Sequence, residues 1–263
     1  MSMSLDETRT LDIPQVSGEE NEILTRKFDE EEVRGAIFQM EHNKAPGPDG
    51  FPPEFYHVFW NIIKGDLIAL FEDFHAGMLN INSLNFGTII PLPKSGDAKQ
   101  IQQYRPICLL NFKIFTKVAS NRIALVAQKI VTPSQTAFLP GRNIMEGAVI
   151  LHETLHELHK KKRNGVILKI DFEKAYDKTL RMKGFSTTWG NWIKSFVQGG
   201  NVGIKINDQQ GPFFQTRKGL RQGDHRSPIL FNIVADMLAI ILVHAKDEGQ
   251  IKGVIPHLVD GGL

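Results

Sequence analysis

In "LKIDFEKAYDK" (168–178), Asp171 directly follows the apolar run Val166, Ile167, Leu168 and Ile170, and Asp177 comes just after Tyr176. A carboxylate where a buried strand leaves the core can hold a hard cation such as Mg²⁺, which prefers a few carboxylates, waters and substrate phosphates. It can equally cap the turn "FEKAYD"; taken alone, the residues leave both readings open. In "GLRQGDHRSPILFN" (219–232), Gln222 and Gly223 occupy a polar, basic loop ahead of a helix opened by Ser227 and Pro228. A glycine there lets a flat ligand such as a base pair approach the backbone, although an ordinary loop and cap would read the same way. Lys94 in "PLPKSGD" and Arg105 in "QYRPI" each follow a short apolar strand. Paired cations on neighbouring strands suit a triphosphate, which arginine can grip through two donors; the alternative is a pair of surface charges.

"HETLH" (152–156) matches the His-Glu-x-x-His pattern of zinc peptidases, and His159 extends the same helical face. Leu151, Leu155 and Leu158 are expected to pack that helix on one side, with "HKKKR" following. The glycine and third histidine of the extended pattern are absent, which favours a solvated face over a zinc site.

The elements that must position these residues alternate in type. From Asp29, "DEEEVRGAIFQM" places Val33, Ile37 and Met40 at helical spacing, with Asp29 as N-cap. "NKAPGPDGFPPEF" is a loop rich in proline and glycine. One helix with a wide apolar face then runs from Phe55 to Phe74. "FGTIIPLPKSGD" and "QYRPICLLN" read as strands, and helices are expected over about 112–130 and 143–162. The strand before Asp171 follows, then a helix near 189–197. A hairpin turns at "NDQQG", and a last helix spans about 228–246. Residues 1–25 show no periodicity and read as a tail.

Composition is that of an ordinary globular chain, 41% apolar and 23% charged over 263 residues. The single cysteine, Cys108, excludes an internal disulfide partner and a cysteine-rich zinc module. The longest apolar run, 229–243, is shorter than a bilayer span and contains Asn232 and Asp236, which favours a buried helix and no membrane partner. The N-terminus lacks the basic and apolar regions of a secretory signal. Residues 1–45 carry a net charge of −6 and the remainder +8, a mild bias compatible with a polyanionic partner.

Together the signals are more specific. "KAPGPDGFPPEF", "IIPLPKSGD", "QYRPICLL", "QTAFLPGR", "KIDFEKAYD" and "KGLRQGD" with "SPILFN" occur in the order of the blocks that mark reverse transcriptases. The chain resembles those of non-LTR (LINE-type) retrotransposons, especially the plant kind, over roughly residues 30 to 263. The resemblance implies an α+β chain with the right-hand polymerase fold: residues 1–27 a tail or linker, and residues 28–263 fingers with a partial palm. It implies RNA-directed DNA polymerase activity with Mg²⁺ as cofactor, acting in the nucleus on an RNA template, a DNA primer and deoxynucleoside triphosphates. Asp171 matches the first metal-binding carboxylate of the palm, and the carbonyl of Phe172 the neighbouring ligand. Tyr176 matches the aromatic under the incoming sugar. Lys94 and Arg105 match the fingers' triphosphate contacts, and Gln222 and Gly223 the template and nucleotide contacts of the palm loop.

The sequence also departs from that pattern. The family's Tyr-x-Asp-Asp turn, which carries the other palm acids, does not occur within these 263 residues, and neither does the thumb. Lys178 runs directly into "TLRMKGF", where the family has a further stretch that starts a helix. His225 and Arg226 stand where the palm loop has Pro-Leu. One carboxylate cannot hold two Mg²⁺ ions, so the expectation is a truncated and catalytically inactive copy. The alternatives are a nucleic-acid-binding remnant without catalysis and, less favoured, a zinc metallopeptidase acting through "HETLH".

Overall fold

The computed structural model describes residues 11–111, 113–133, 135–139, 141–162, 176–216, 221–224 and 227–251. Asp171 and Phe172, with the strand expected before them, lie outside these residues. The chain mixes helices with one sheet and divides into two compact units. One unit comprises residues Asn21–Ile123 and Ser186–Ser227; the other comprises Met1–Glu20, Ala124–Phe185 and Pro228–Leu263.

The sheet lies in the first unit. Strand β1 (Phe86–Pro93) pairs antiparallel with β2 (Tyr104–Leu110), Gly87 opposite Leu110 and Pro93 opposite Tyr104. On its other side β1 runs parallel to β3 (Asn201–Ile206), with Phe86 opposite Asn201. The free side of β3 takes β4 (Gln209–Gln210) and then β5 (Phe214–Gln215), both antiparallel. The β3–β4 turn is Asn207–Asp208, both at positive φ (49° and 62°), the geometry that two-residue hairpins demand and that Asn and Asp tolerate best. The hairpin expected here between "NVGIKIN" and "GPFFQTRKGL" around "NDQQG" turns on two residues, and Gln209–Gln210 of the expected turn pair with β3 instead.

Helices surround the sheet strands in sequence. Helix α1 (Gly18–Thr25) opens with a reciprocal cap in which the Ser17 amide donates to Glu20 Oε2 at 2.7 Å and the Glu20 amide to Ser17 Oγ at 3.2 Å. The segment read as a tail is therefore helical from Gly18, and Leu24 is wholly buried. In α2 (Glu30–Phe38) the Asp29 carboxylate accepts from the Glu32 amide, as expected, and Val33, Ala36 and Ile37 are buried at helical spacing. The helix expected from Phe55 to Phe74 is two: α3 (Pro53–Val58) and α4 (Trp60–His75), divided at Phe59. The break turns part of the apolar face outward, leaving Ile62 77% exposed, while Phe71 and Phe74 face inward and Phe71 stacks on Phe115 at 4.1 Å.

Helix α5 (Lys113–Ile130) supplies Arg122, which is 2% exposed. Its Nε and Nη2 donate to the two oxygens of Glu32 at 2.6 and 2.8 Å. Its Nη1 donates to the carbonyls of Leu24 and Arg26, both at 2.8 Å, and Nη2 also to that of Lys27 at 3.1 Å. All five guanidinium hydrogens are used, and the cation lies 3.9 Å over the Phe28 ring.

The second unit contains α6 (Ile144–Lys160), α7 (Tyr176–Met182) and most of α9 (Ser227–Asp247); α8 (Thr187–Val197) belongs to the first. By length and composition α9 could cross a membrane. Yet Ile229, Leu230, Ile233, Val234 and Met237 are buried, and Asp236 accepts from Lys183 Nζ at 2.5 Å with both side chains fully buried. Lys183 also donates to the Ile130 carbonyl, and the other Asp236 oxygen accepts from the amide and hydroxyl of Thr132. The charge on α9 is thus paired and hydrogen-bonded, the condition for burying it.

Candidate nucleotide and nucleic-acid interface

The β1–β2 pair organises most of the expected site residues the structure describes. Leu92 is opposite Arg105, and the Lys94 amide donates to the Gln103 carbonyl, which extends the ladder past the strand end. Residues two apart share a face and diagonal neighbours across an antiparallel pair lie within reach, so Lys94 and Arg105 stand diagonally on one face. Both are exposed. Lys94 Nζ donates to the Gln102 carbonyl at 2.7 Å.

The Gln222–Gly223 turn docks on the same strand. The Cys108 amide, on the edge of β2 turned away from β1, donates to the Gln222 carbonyl at 2.7 Å. Gly223 has φ +107°, and a Cβ there would stand 2.7 Å from the Cys108 carbonyl oxygen. The glycine is required by this approach to β2, a reason additional to any ligand and invisible without the fold. The turn is closed by the Asp224 amide on the Arg221 carbonyl and by Ser227 Oγ on the same carbonyl, while Arg221 Nη2 donates to the Phe196 carbonyl at 2.6 Å. Arg221 and the buried Asp224 were not singled out from the sequence. The Gln222 side chain is left exposed.

At the other end of β2, the proline-rich loop packs on Leu110 and Asn111. Asn111 Oδ1 accepts from the Asp49 amide at 3.0 Å, and a Cβ on Gly47 would stand 2.6 Å from the Leu110 carbonyl oxygen. Burial raises the Asp49 carboxyl, and burial together with that nearby acid pushes the Tyr56 phenol up to about 12.

Cys108, whose amide makes the first of these contacts, is buried. Burial raises its thiol to about 11, against the pull of Arg221 and with a push from Asp224. At pH 8 it should react with a maleimide more than about 100-fold more slowly than a free thiol, because the thiolate is the nucleophile. Gly223→Ala is expected to lift the turn off β2 and speed that reaction in the folded protein; an unchanged rate would show the turn is not what covers the thiol.

Elsewhere the outcome is mixed. Tyr176 opens α7 and is 6% exposed. His152, His156 and His159 are all exposed on α6, but the leucines beside them do not pack as expected. Leu151 is 51% and Leu155 40% exposed, and α6 has no buried residue. Among the described residues no three His, Cys, Asp or Glu side chains gather as metal ligands, so nothing here supports a peptidase. In "QTAFLPGR", Arg142 Nη1 donates to the carbonyls of Thr132 and Gln135, and Nη2 to those of Gln128 and Val131, which caps the end of α5.

An ordered set of polymerase-like motifs on a mixed α/β chain is what a reverse transcriptase domain requires, and comparison with known proteins agrees. The chain matches the reverse transcriptase (RNA-dependent DNA polymerase) family over residues 92–249 and belongs to it. It is 29% identical over 241 residues to the transposon TX1 uncharacterized 149 kDa protein of Xenopus laevis, covering 88% of this chain and 18% of that protein. It is 27% identical over 217 residues to the retrovirus-related Pol polyprotein from type-2 retrotransposable element R2DM of Drosophila melanogaster, covering 80% of this chain and 20% of that one. The type-1 R2 counterpart of Nasonia vitripennis is 25% identical over 220 residues, covering 80% and 21%. The chain spans about a fifth of the length of these curated relatives. They are of the non-LTR retrotransposon class that the motifs indicated.

Proposed function

We propose that the chain forms the fingers and part of the palm of a non-LTR retrotransposon's RNA-directed DNA polymerase. In this reading it binds primer, template and nucleotide but does not, as these 263 residues, complete nucleotidyl transfer. The observation that carries the reading is the grouping of Lys94, Arg105 and the Gln222–Gly223 turn on one antiparallel strand pair. Two cations on one face supply donors for a triphosphate. The exposed Gln222 amide, on a turn anchored through its backbone, is free to meet a template base or the incoming nucleotide.

Asp171 and the Phe172 carbonyl are assigned to metal, and Tyr176 to the sugar of the incoming nucleotide. Bound Mg²⁺ ions would activate the primer 3′-hydroxyl and stabilise the leaving pyrophosphate. The described residues do not fit a two-ion site, since no three potential ligands among them converge, and Asp171 adds a single carboxylate.

Fluorescence anisotropy on a labelled primer–template, with a parallel extension assay in Mg²⁺ or Mn²⁺, tests this. The expected result is binding that weakens steeply with salt, as phosphate contacts dictate, and no extension. Extension that disappears in Asp171→Ala would refute the inactivity; absence of binding even at low salt would refute the reading as a whole.

A further inference from the structure

Phe138, in "QTAFLPGR", is 65% exposed and has φ +56°. For a residue with a side chain the left-handed region costs about 1–2 kcal/mol, and a bulky aromatic there is a true outlier. The other described non-glycine residues at positive φ have local reasons. Asn207 and Asp208 form the β3–β4 turn, and Lys162 follows the end of α6. Phe138 ends no helix and closes no hairpin, and its ring recovers little burial in return.

The backbone around it is held from several directions. Asn232, itself buried on α9, donates its side-chain amide to the Ala137 carbonyl. Leu139 is buried, and its carbonyl accepts from the Arg142 amide at 3.2 Å. The Arg142 guanidinium fixes the carbonyls of Thr132 and Gln135 just upstream. Close by, α6 approaches so tightly that a Cβ on Gly147 would stand 2.8 Å from Thr136 Oγ1. Strained conformations persist only where their surroundings over-determine them, and they concentrate at ligand contacts. Here the over-determination keeps an aromatic ring pointing into solvent.

We infer that Phe138 is a stacking platform for an unpaired base of a single-stranded nucleic acid. The inference rests on the nucleic-acid-binding reading above. A nucleobase is the occupant that this geometry suits: every base offers a π-face, stacking on one ring needs no pocket, and a fixed ring gives up little entropy on binding. No charge is needed from Phe138 itself, so its contribution is separable from the phosphate term.

The test measures affinity of the 263-residue chain for single-stranded RNA and DNA carrying 2-aminopurine, across a salt series. Phe138→Ala should weaken binding about tenfold or more and lose the 2-aminopurine quench, since a stacked base is worth roughly 5- to 150-fold. The slope of log affinity against log salt should not move, because no phosphate contact is lost. Phe138→Trp should restore both signals. Phe138→Gly should melt at or above the wild-type temperature, as it relieves the backbone, and yet bind as weakly as the alanine variant. If wild type and Phe138→Ala bind equally well with the same quench, the inference is overturned while the nucleic-acid reading stands; Phe138 would then be left to a protein contact. If the wild type binds no nucleic acid at low salt, both fall.

Discussion

Arg122→Ala is expected to cost the fold about 3–5 kcal/mol, because truncating one side of a buried ion pair leaves the other charge uncompensated. Here the loss goes beyond Glu32. The carbonyls of Leu24, Arg26 and Lys27 would lose their donor, and the cation over Phe28 would go with them. For a chain of this size that corresponds to a fall in melting temperature of roughly 6–20 °C. Arg122→Lys keeps the charge and gives up the planar fork, so it should recover only part of the loss. A melting temperature within a degree or two of wild type for Arg122→Ala would show that the guanidinium contributes little to holding α1 in place.

The second large effect is expected at Lys183 and Asp236. Asp236→Leu strands the Lys183 ammonium among fully buried groups, with only the Ile130 carbonyl as partner. Lys183→Met leaves a carboxylate that Thr132 still serves through two donors. Burial already lowers the Lys183 ammonium from the ordinary lysine value, with Asp236 pulling the other way. Each single variant should lose about 3–5 kcal/mol in denaturant titration, Asp236→Leu the more, while the double variant regains much of it, since well-packed apolar side chains often replace a buried pair without loss. Additive losses in the double variant would mean that the two residues act separately.

How far the sequence reached follows from how local each signal was. The Asp29 cap and the strands of "FGTIIPLP" and "YRPICLL" rest on neighbours within a few residues and are found where expected; the hairpin at "NDQQG" is found too, with a tighter turn than expected. The "SGEE" box at 17–20 is equally local, but the helix it opens is short and weakly apolar, and the Leu24 carbonyl within it meets its donor, Arg122, only 98 residues further along. Asp236 was legible as an argument against a membrane span, but its partner Lys183 follows a short helix and looks like any surface lysine in sequence. At the candidate site, Lys94 follows the apolar run of β1, whereas Arg105 opens β2 ahead of its apolar residues, so its place beside Lys94 rests on the strand register. The reason for Gly223 could not be read, since it lies in the backbone of a strand far away in sequence.

The division into two units bears on how the chain can be made and cut. Each unit is assembled from separated stretches: 21–123 with 186–227 in one, and 1–20, 124–185 and 228–263 in the other. Domains usually complete in order as a nascent chain emerges, the N-terminal one first. Here the N-terminal residues belong to the unit that finishes last, because Lys183 has no carboxylate to meet until Asp236 has been synthesised. The earlier-closing unit must in turn hold together around an interval, 124–185, that belongs elsewhere. For the same reason no single proteolytic cut liberates either unit as one continuous polypeptide: a nick at any loop leaves at least one core built from two chains.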